Sequence, residues 1–201
     1  AMSQRLDQGA AITTALGIDH AAVVGSSFGG GMLLQASVRR AWPFLVGGVT
    51  ISGPGGIHMV PEAFAVLQDY EPAPEAAAAL VAMLYKHAPE GEVDRRYRAT
   101  LAPGHWEALS ASRLANPAKE PSTFDWREGY RKALAAVELP VLIVAGADDK
   151  LLEPGWEEQM AALIPGGSSV RIPDSQHMPH VEQPEATMAA IEPFLASILE
   201  V

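Results

Sequence analysis

The chain has 201 residues, 48% of them hydrophobic and 19% charged, the makeup of a globular protein large enough for one sizeable core. Its 14 Lys and Arg stand against 24 Asp and Glu, a net charge of −10, and acidic residues run the whole length with no basic stripe, which disfavours nucleic acid or an anionic membrane as partner. The absence of cysteine excludes disulfides, thiolate catalysis and cysteine zinc sites, and no apolar run is long enough to span a bilayer.

No signal-peptide pattern opens the chain, so the cytoplasm is the default expectation. Ala1 ahead of Met2 reads as a residue left by a tag. Ser3 to Leu16 is alanine-rich and stopped by Gly17, which predicts a helix leading into a strand at Ala21 to Gly25. Gly29 to Arg40 follows as a helix apolar nearly all round, then a second strand at Phe44 to Ser52 that leaves through Gly53-Pro54-Gly55-Gly56. Strand, helix, strand with continuous apolar strands predicts a parallel α/β sheet covered on both faces.

From Ile57 to about Val137 the pattern changes. Leu80, Met83 and Leu84 recur at helical spacing after Pro74-Glu75, and Trp126, Tyr130 and Leu134 do so later, with breaks at Pro89, Gly91, Pro103-Gly104 and Pro117. This predicts a cap of short helices over residues 57–137, inserted into a sheet core made of residues 2–56 and 138–201. Tyr85, Trp106 and Trp126 are candidates either for a pocket wall or for core. The sheet then resumes with a buried strand at Pro140 to Ala145, a helix face at Trp156, Met160 and Leu163, a last strand at Ser169 to Ile172 and a helix from Pro184 to Leu199.

Between the first strand and its helix lies Gly25-Ser26-Ser27-Phe28-Gly29. A G-x-S-x-G placed at a strand-to-helix turn is a nucleophile elbow, in which the glycines allow a turn tight enough to expose the serine hydroxyl above the sheet. The same spacing also arises in ordinary serine- and glycine-rich turns, so its place in the fold gives it meaning. A serine hydroxyl needs a general base, itself oriented by a third group. Two more loops supply them: Gly146-Ala147-Asp148-Asp149-Lys150 after one predicted strand and Asp174-Ser175-Gln176-His177 after the last. All three fall beyond the carboxyl ends of strands, where open parallel sheets build their sites.

In these three loops, in the order serine, acid, histidine, the chain resembles the α/β-hydrolase fold family. Gly146, Asp149 and Pro154 approximate the family's acid turn, and His177, Glu182 and Pro184 match its H-x-x-x-x-E-x-P run. The resemblance implies Ser27 as nucleophile, His177 as base, Asp149 as orienter and the Phe28 N–H as oxyanion donor, with no cofactor and no metal. It also implies that the opening strands of the sheet and the loop carrying the second oxyanion donor would precede Ser3. An N-terminally truncated sheet is therefore expected, exposing the edge of the Ala21 to Gly25 strand and inviting a homo-oligomer through that edge.

Neighbouring residues have plainer readings. Ser26 lacks glycines at the flanking positions. Asp148 lies one residue early and suits a solvated turn; Asp174 serves its own turn. His177 and His180 have no evident third ligand, which disfavours a metal. His20, His58, His87 and His105 read as solvated or packed, and Arg95-Arg96-Tyr97-Arg98 as the charged face of a helix rather than an anion site. The function expected is cleavage of a carboxylic ester or lactone in a small-molecule acyl substrate. Hydrolysis of a carbon–carbon bond in ring-cleavage products is the alternative, suggested by Phe28-Gly29-Gly30 but not by Met178 after the histidine. A non-catalytic remnant or binding module is the third reading.

Overall fold

The runs of Val, Ile and Leu set between glycine turns pair side by side in one parallel sheet, in the order β1 (Ala21–Ser26), β2 (Leu45–Ile51), β3 (Val141–Gly146), β4 (Gly167–Ile172). The computed structural model describes residues 2–68, 71–108 and 126–199. Register is continuous across the sheet: Val24 lies beside Val49, Val49 beside Leu142, and Val144 beside Val170. All six residues of β3 are buried, because helices cover both of its faces. On one face Val141, Ile143 and Ala145 pack with Leu34, Trp156 and Met160; on the other Val49, Ile51, Leu142 and Val144 pack with Ile172 and Ile191.

The helices are α1 (Met2–Ala15), α2 (Phe28–Arg39), α7 (Trp156–Leu163) and α9 (Pro184–Leu199) around the sheet, with a short α8 (Pro179–Glu182) before the last. Between β2 and β3 run α3 (Pro61–Gln68), α4 (Pro74–Leu84), α5 (Glu92–Thr100) and α6 (Trp126–Leu134), in the stretch expected to form the cap. Residues 69–70 and 109–125 of that stretch, Pro117 included, lie outside the described residues. Leu84, Tyr130 and Leu134 from these helices share one apolar cluster with Ile143 of β3 and Met160 of α7. Of the two readings open for Tyr85, the structure takes core: it is 5% exposed, and its hydroxyl donates to Glu92.

Coverage of both faces fails at β1. Among the described residues this strand pairs with β2 alone and so forms the edge of the sheet they make, and Val24 is 49% exposed. Nearby, α1 is pinned by the Trp42 indole N–H, which donates to the Leu6 carbonyl at 2.9 Å. No helix among the described residues is long and apolar enough to cross a membrane.

Candidate active site

The β1–α2 junction bends through Ser27, whose φ of 50° and ψ of −110° lie outside the regions a serine prefers. A serine at this helix start would ordinarily cap the first turn with its hydroxyl. Here it makes no cap bond, and its Oγ lies 2.9 Å from His177 Nε2. The Ser27 N–H donates to the Ile51 carbonyl at 2.7 Å, which fixes the elbow to β2.

The glycines around the serine are not equivalent. A Cβ on Gly25 would sit 2.4 Å from the Gly29 carbonyl carbon, so strand and helix meet this closely only with glycine there. A Cβ on Gly29 would meet nothing within 4 Å, whereas one on Gly30 would lie 2.1 Å from Thr50 Oγ1. The expectation that the second motif glycine permits the turn is therefore corrected: the close approach is made at Gly30, one residue later, where α2 crosses β2.

Asp149 and His177 come from the loops after β3 and β4, and their side chains are only 3% and 4% exposed. His177 Nδ1 lies 2.8 Å from Asp149 Oδ2, while Asp149 Oδ1 accepts from the Leu151 N–H at 2.9 Å. An ionised carboxylate only accepts, so Nδ1 carries the proton and donates to Asp149, leaving Nε2 to accept from the Ser27 hydroxyl. The loops are laced together by backbone: the Ala147 N–H donates to the Ile172 carbonyl and the Asp148 N–H to the Ser175 carbonyl, both at 2.9 Å. Gly146 permits this contact, since a Cβ there would lie 1.7 Å from the Gln176 carbonyl oxygen.

The remaining candidates fall elsewhere. Asp148 Oδ2 accepts from the Lys86 ammonium at 2.6 Å, and Lys86 also reaches Asp174 Oδ1 at 2.8 Å. The Lys86 and His87 hydrogen bonds hold the Asp174 carboxyl below its usual range. His58 is 7% exposed and pairs through Nδ1 with Glu153 at 3.0 Å, a packed histidine. Burial lowers the pKa of His180, and the neighbouring His177 lowers it further. Arg95 and Arg98 lie on the expected charged face of α5, 73% and 75% exposed, and Arg95 and Arg96 both donate to Glu92, whose side chain is 1% exposed. Burial raises the Glu92 pKa, but the bonds from Arg96 and Arg95 outweigh it and leave the carboxyl below its usual value.

Above Ser27 and His177 opens a cleft of about 660 Å³, within the range of small-molecule sites. Phe28 and Gln35 of α2, the Ser52–Gly56 loop, Met59, Leu67, Trp126 and Leu151 line it. Phe28 is the first residue of α2, where N–H groups lack intrahelical acceptors and face outward from the helix end. Ser52, one rung beyond the Ser26–Ile51 pair, has a φ of 49° and a buried hydroxyl without a partner among the described residues. No sequence pattern singled out Ser52, Lys86 or the closeness of Gly146 to Gln176.

A family model described as "Alpha/beta hydrolase family" matches residues 3–190. The chain belongs to the α/β-hydrolase family. Among α/β hydrolases of known structure, the meta-cleavage product hydrolase CumD of Pseudomonas fluorescens IP01 superposes with a TM-score of 0.81 at 20% identity, over 98% of this chain and 72% of that one. The carboxylesterase CesB of Bacillus subtilis gives 0.72 at 18% identity, over 92% of this chain and 63% of its own. Identities this low convey the shared fold. A Mycobacterium tuberculosis protein that carries a non-heme bromoperoxidase name, BpoC, is 36% identical over 62 residues, which take in 31% of this chain and 24% of that relative. The chain thus matches about a quarter of the length of this curated relative.

Proposed function

We propose that this α/β hydrolase cleaves a carboxylic ester or lactone through an acyl-enzyme on Ser27. The observation that carries the reading is the relay of 2.9 Å from Ser27 Oγ to His177 Nε2 and 2.8 Å from His177 Nδ1 to Asp149, opening into an apolar cleft. Ser27 Oγ attacks the carbonyl carbon as His177 Nε2 takes its proton; Asp149 holds the ring and stabilises the imidazolium. The Phe28 N–H donates to the oxyanion. Collapse expels the alcohol, protonated by His177, and water activated by the same imidazole releases the acid and restores Ser27. For a lactone, the departing alcohol stays tethered to the acyl group.

The test is fluorophosphonate labelling combined with hydrolysis of p-nitrophenyl butyrate and a simple γ-lactone. Labelling at Ser27 that vanishes in Ser27→Ala and His177→Ala, with a loss of at least about 10³-fold in ester turnover, is expected. A wild-type chain that neither labels nor turns over ester or lactone overturns the reading and favours a binding module.

A further inference from the structure

Lys86 and His87, the two residues just past the Tyr85 that ends α4, touch both loops that carry the candidate acid and base. Glu182, at the end of α8, is the centre of this contact. One oxygen, Oε1, accepts from the Lys86 N–H at 2.6 Å and the His87 N–H at 2.9 Å, and the other, Oε2, accepts from the Gln176 N–H at 2.8 Å. Gln176 immediately precedes His177. On the other side the Lys86 ammonium bridges Asp148, which immediately precedes Asp149, and Asp174 of the histidine loop. The His87 imidazole adds a contact to Asp174 at 3.1 Å, and the Gln183 amide donates to the Asp174 carbonyl at 3.2 Å and approaches its carboxylate at 3.4 Å.

From this geometry we propose that Glu182 is a positioning residue for His177, with Lys86 as its counterpart for Asp149: together they clasp the acid and base loops to the α4 turn. The proposal rests on the serine-hydrolase reading of Ser27. Its physical basis is the number and kind of bonds. A carboxylate accepting three backbone N–H groups makes charge-assisted bonds, stronger than neutral ones, and it holds backbone rather than mobile side-chain tips. Exposed ion pairs such as those of Lys86 count for little in stability. Their effect here is on aim, because one grips Asp148, next in the chain to Asp149, and the other grips Asp174 in the loop that carries His177. A serine relay loses rate steeply with misplacement, whereas substrate binding in the cleft does not depend on it.

The experiment compares wild type with Glu182→Ala, Glu182→Gln and Lys86→Met. With kcat for p-nitrophenyl butyrate as readout, Glu182→Ala is expected to lose about 10- to 100-fold and Lys86→Met about 3- to 10-fold, with KM within threefold in each. The amide of Glu182→Gln offers one acceptor oxygen, so it keeps one side of the clasp and falls between Glu182→Ala and wild type. A folded Glu182→Ala variant, shown by a cooperative urea transition and a native near-ultraviolet circular dichroism spectrum, that retains wild-type kcat overturns the proposal. Should Glu182→Ala not fold, Glu182→Gln and Lys86→Met decide it, and wild-type kcat in both refutes the clasp. A wild type without Ser27-dependent turnover or labelling sinks the hydrolase reading alone. The clasp is then read from the downfield proton resonance of His177 Nδ1–H: broadening or loss in Glu182→Ala supports positioning, and an unchanged line overturns it.

Discussion

Gly146→Ala isolates the alignment of the proposed base and acid without touching either. A Cβ at this position would lie 1.7 Å from the Gln176 carbonyl oxygen, and real Cβ contacts under 3.0 Å essentially do not occur, so the oxygen must retreat by roughly 1.3 Å. The atom pushed is backbone, one peptide before His177, and it cannot swing aside as a side chain would. The Asp148 N–H to Ser175 carbonyl bond resists the movement on one side and the Glu182 to Gln176 N–H bond on the other. The shift therefore passes to the imidazole, and a misplacement of about 1 Å costs on the order of 10²-fold, or about 2.7 kcal/mol of transition-state stabilisation. Steady-state hydrolysis of p-nitrophenyl butyrate measures it, with near-ultraviolet circular dichroism and a urea midpoint to establish that the variant is folded. The expected result is kcat reduced about 100-fold with KM changed less than threefold. A folded variant with kcat within threefold of wild type would show that the two loops are not rigidly coupled, and the reasoning would fail.

The elbow glycines should separate in stability. Gly29→Ala has open space and gains helix propensity, so its unfolding free energy in urea should rise by up to about 1 kcal/mol, while Gly30→Ala must displace Thr50 and should lose about 1–3 kcal/mol; the reverse order would refute the packing argument. Glu92→Gln should destabilise by about 1–3 kcal/mol near neutral pH, because Arg95 and Arg96 lose the buried carboxylate they share. The Glu92 carboxyl is held below its ordinary value of 4.5 in the folded state, so its contribution is complete above that value and is lost as pH falls through the lower folded one. Urea titrations should give a constant gap between wild type and Glu92→Gln above about pH 5 that narrows as pH falls below the ordinary value of 4.5, and a gap unchanged down to about pH 3 would count against the assignment.

The three loops that bring Ser27, Asp149 and His177 together were legible because each is written locally: a strand that ends, a turn residue, then the candidate side chain. In a parallel sheet the carboxyl ends of all strands share one rim, so separate local signals imply a single place. Ser27, Asp149 and His177 meet there although 150 positions separate the first from the last. What stayed hidden is what depends on a second surface. Arg95 and Arg98 do lie on the exposed charged face their spacing suggests, but the buried Glu92 carboxylate that Arg95 and Arg96 share, and that Tyr85 donates to, leaves no trace in periodicity. Gly29 read as essential because the motif counts it; the crowding that selects glycine arises where α2 meets Thr50, which only packing reveals. Glu182 was visible as a motif letter without a task. Its partners Lys86 and His87 lie 96 and 95 residues away, in the stretch least defined by pattern, so local spacing could name the residue and not its use. Motif letters near a relay that have no chemistry of their own are therefore the ones to examine for backbone donors, because an acidic side chain placed among loops does its work by holding peptide N–H groups still.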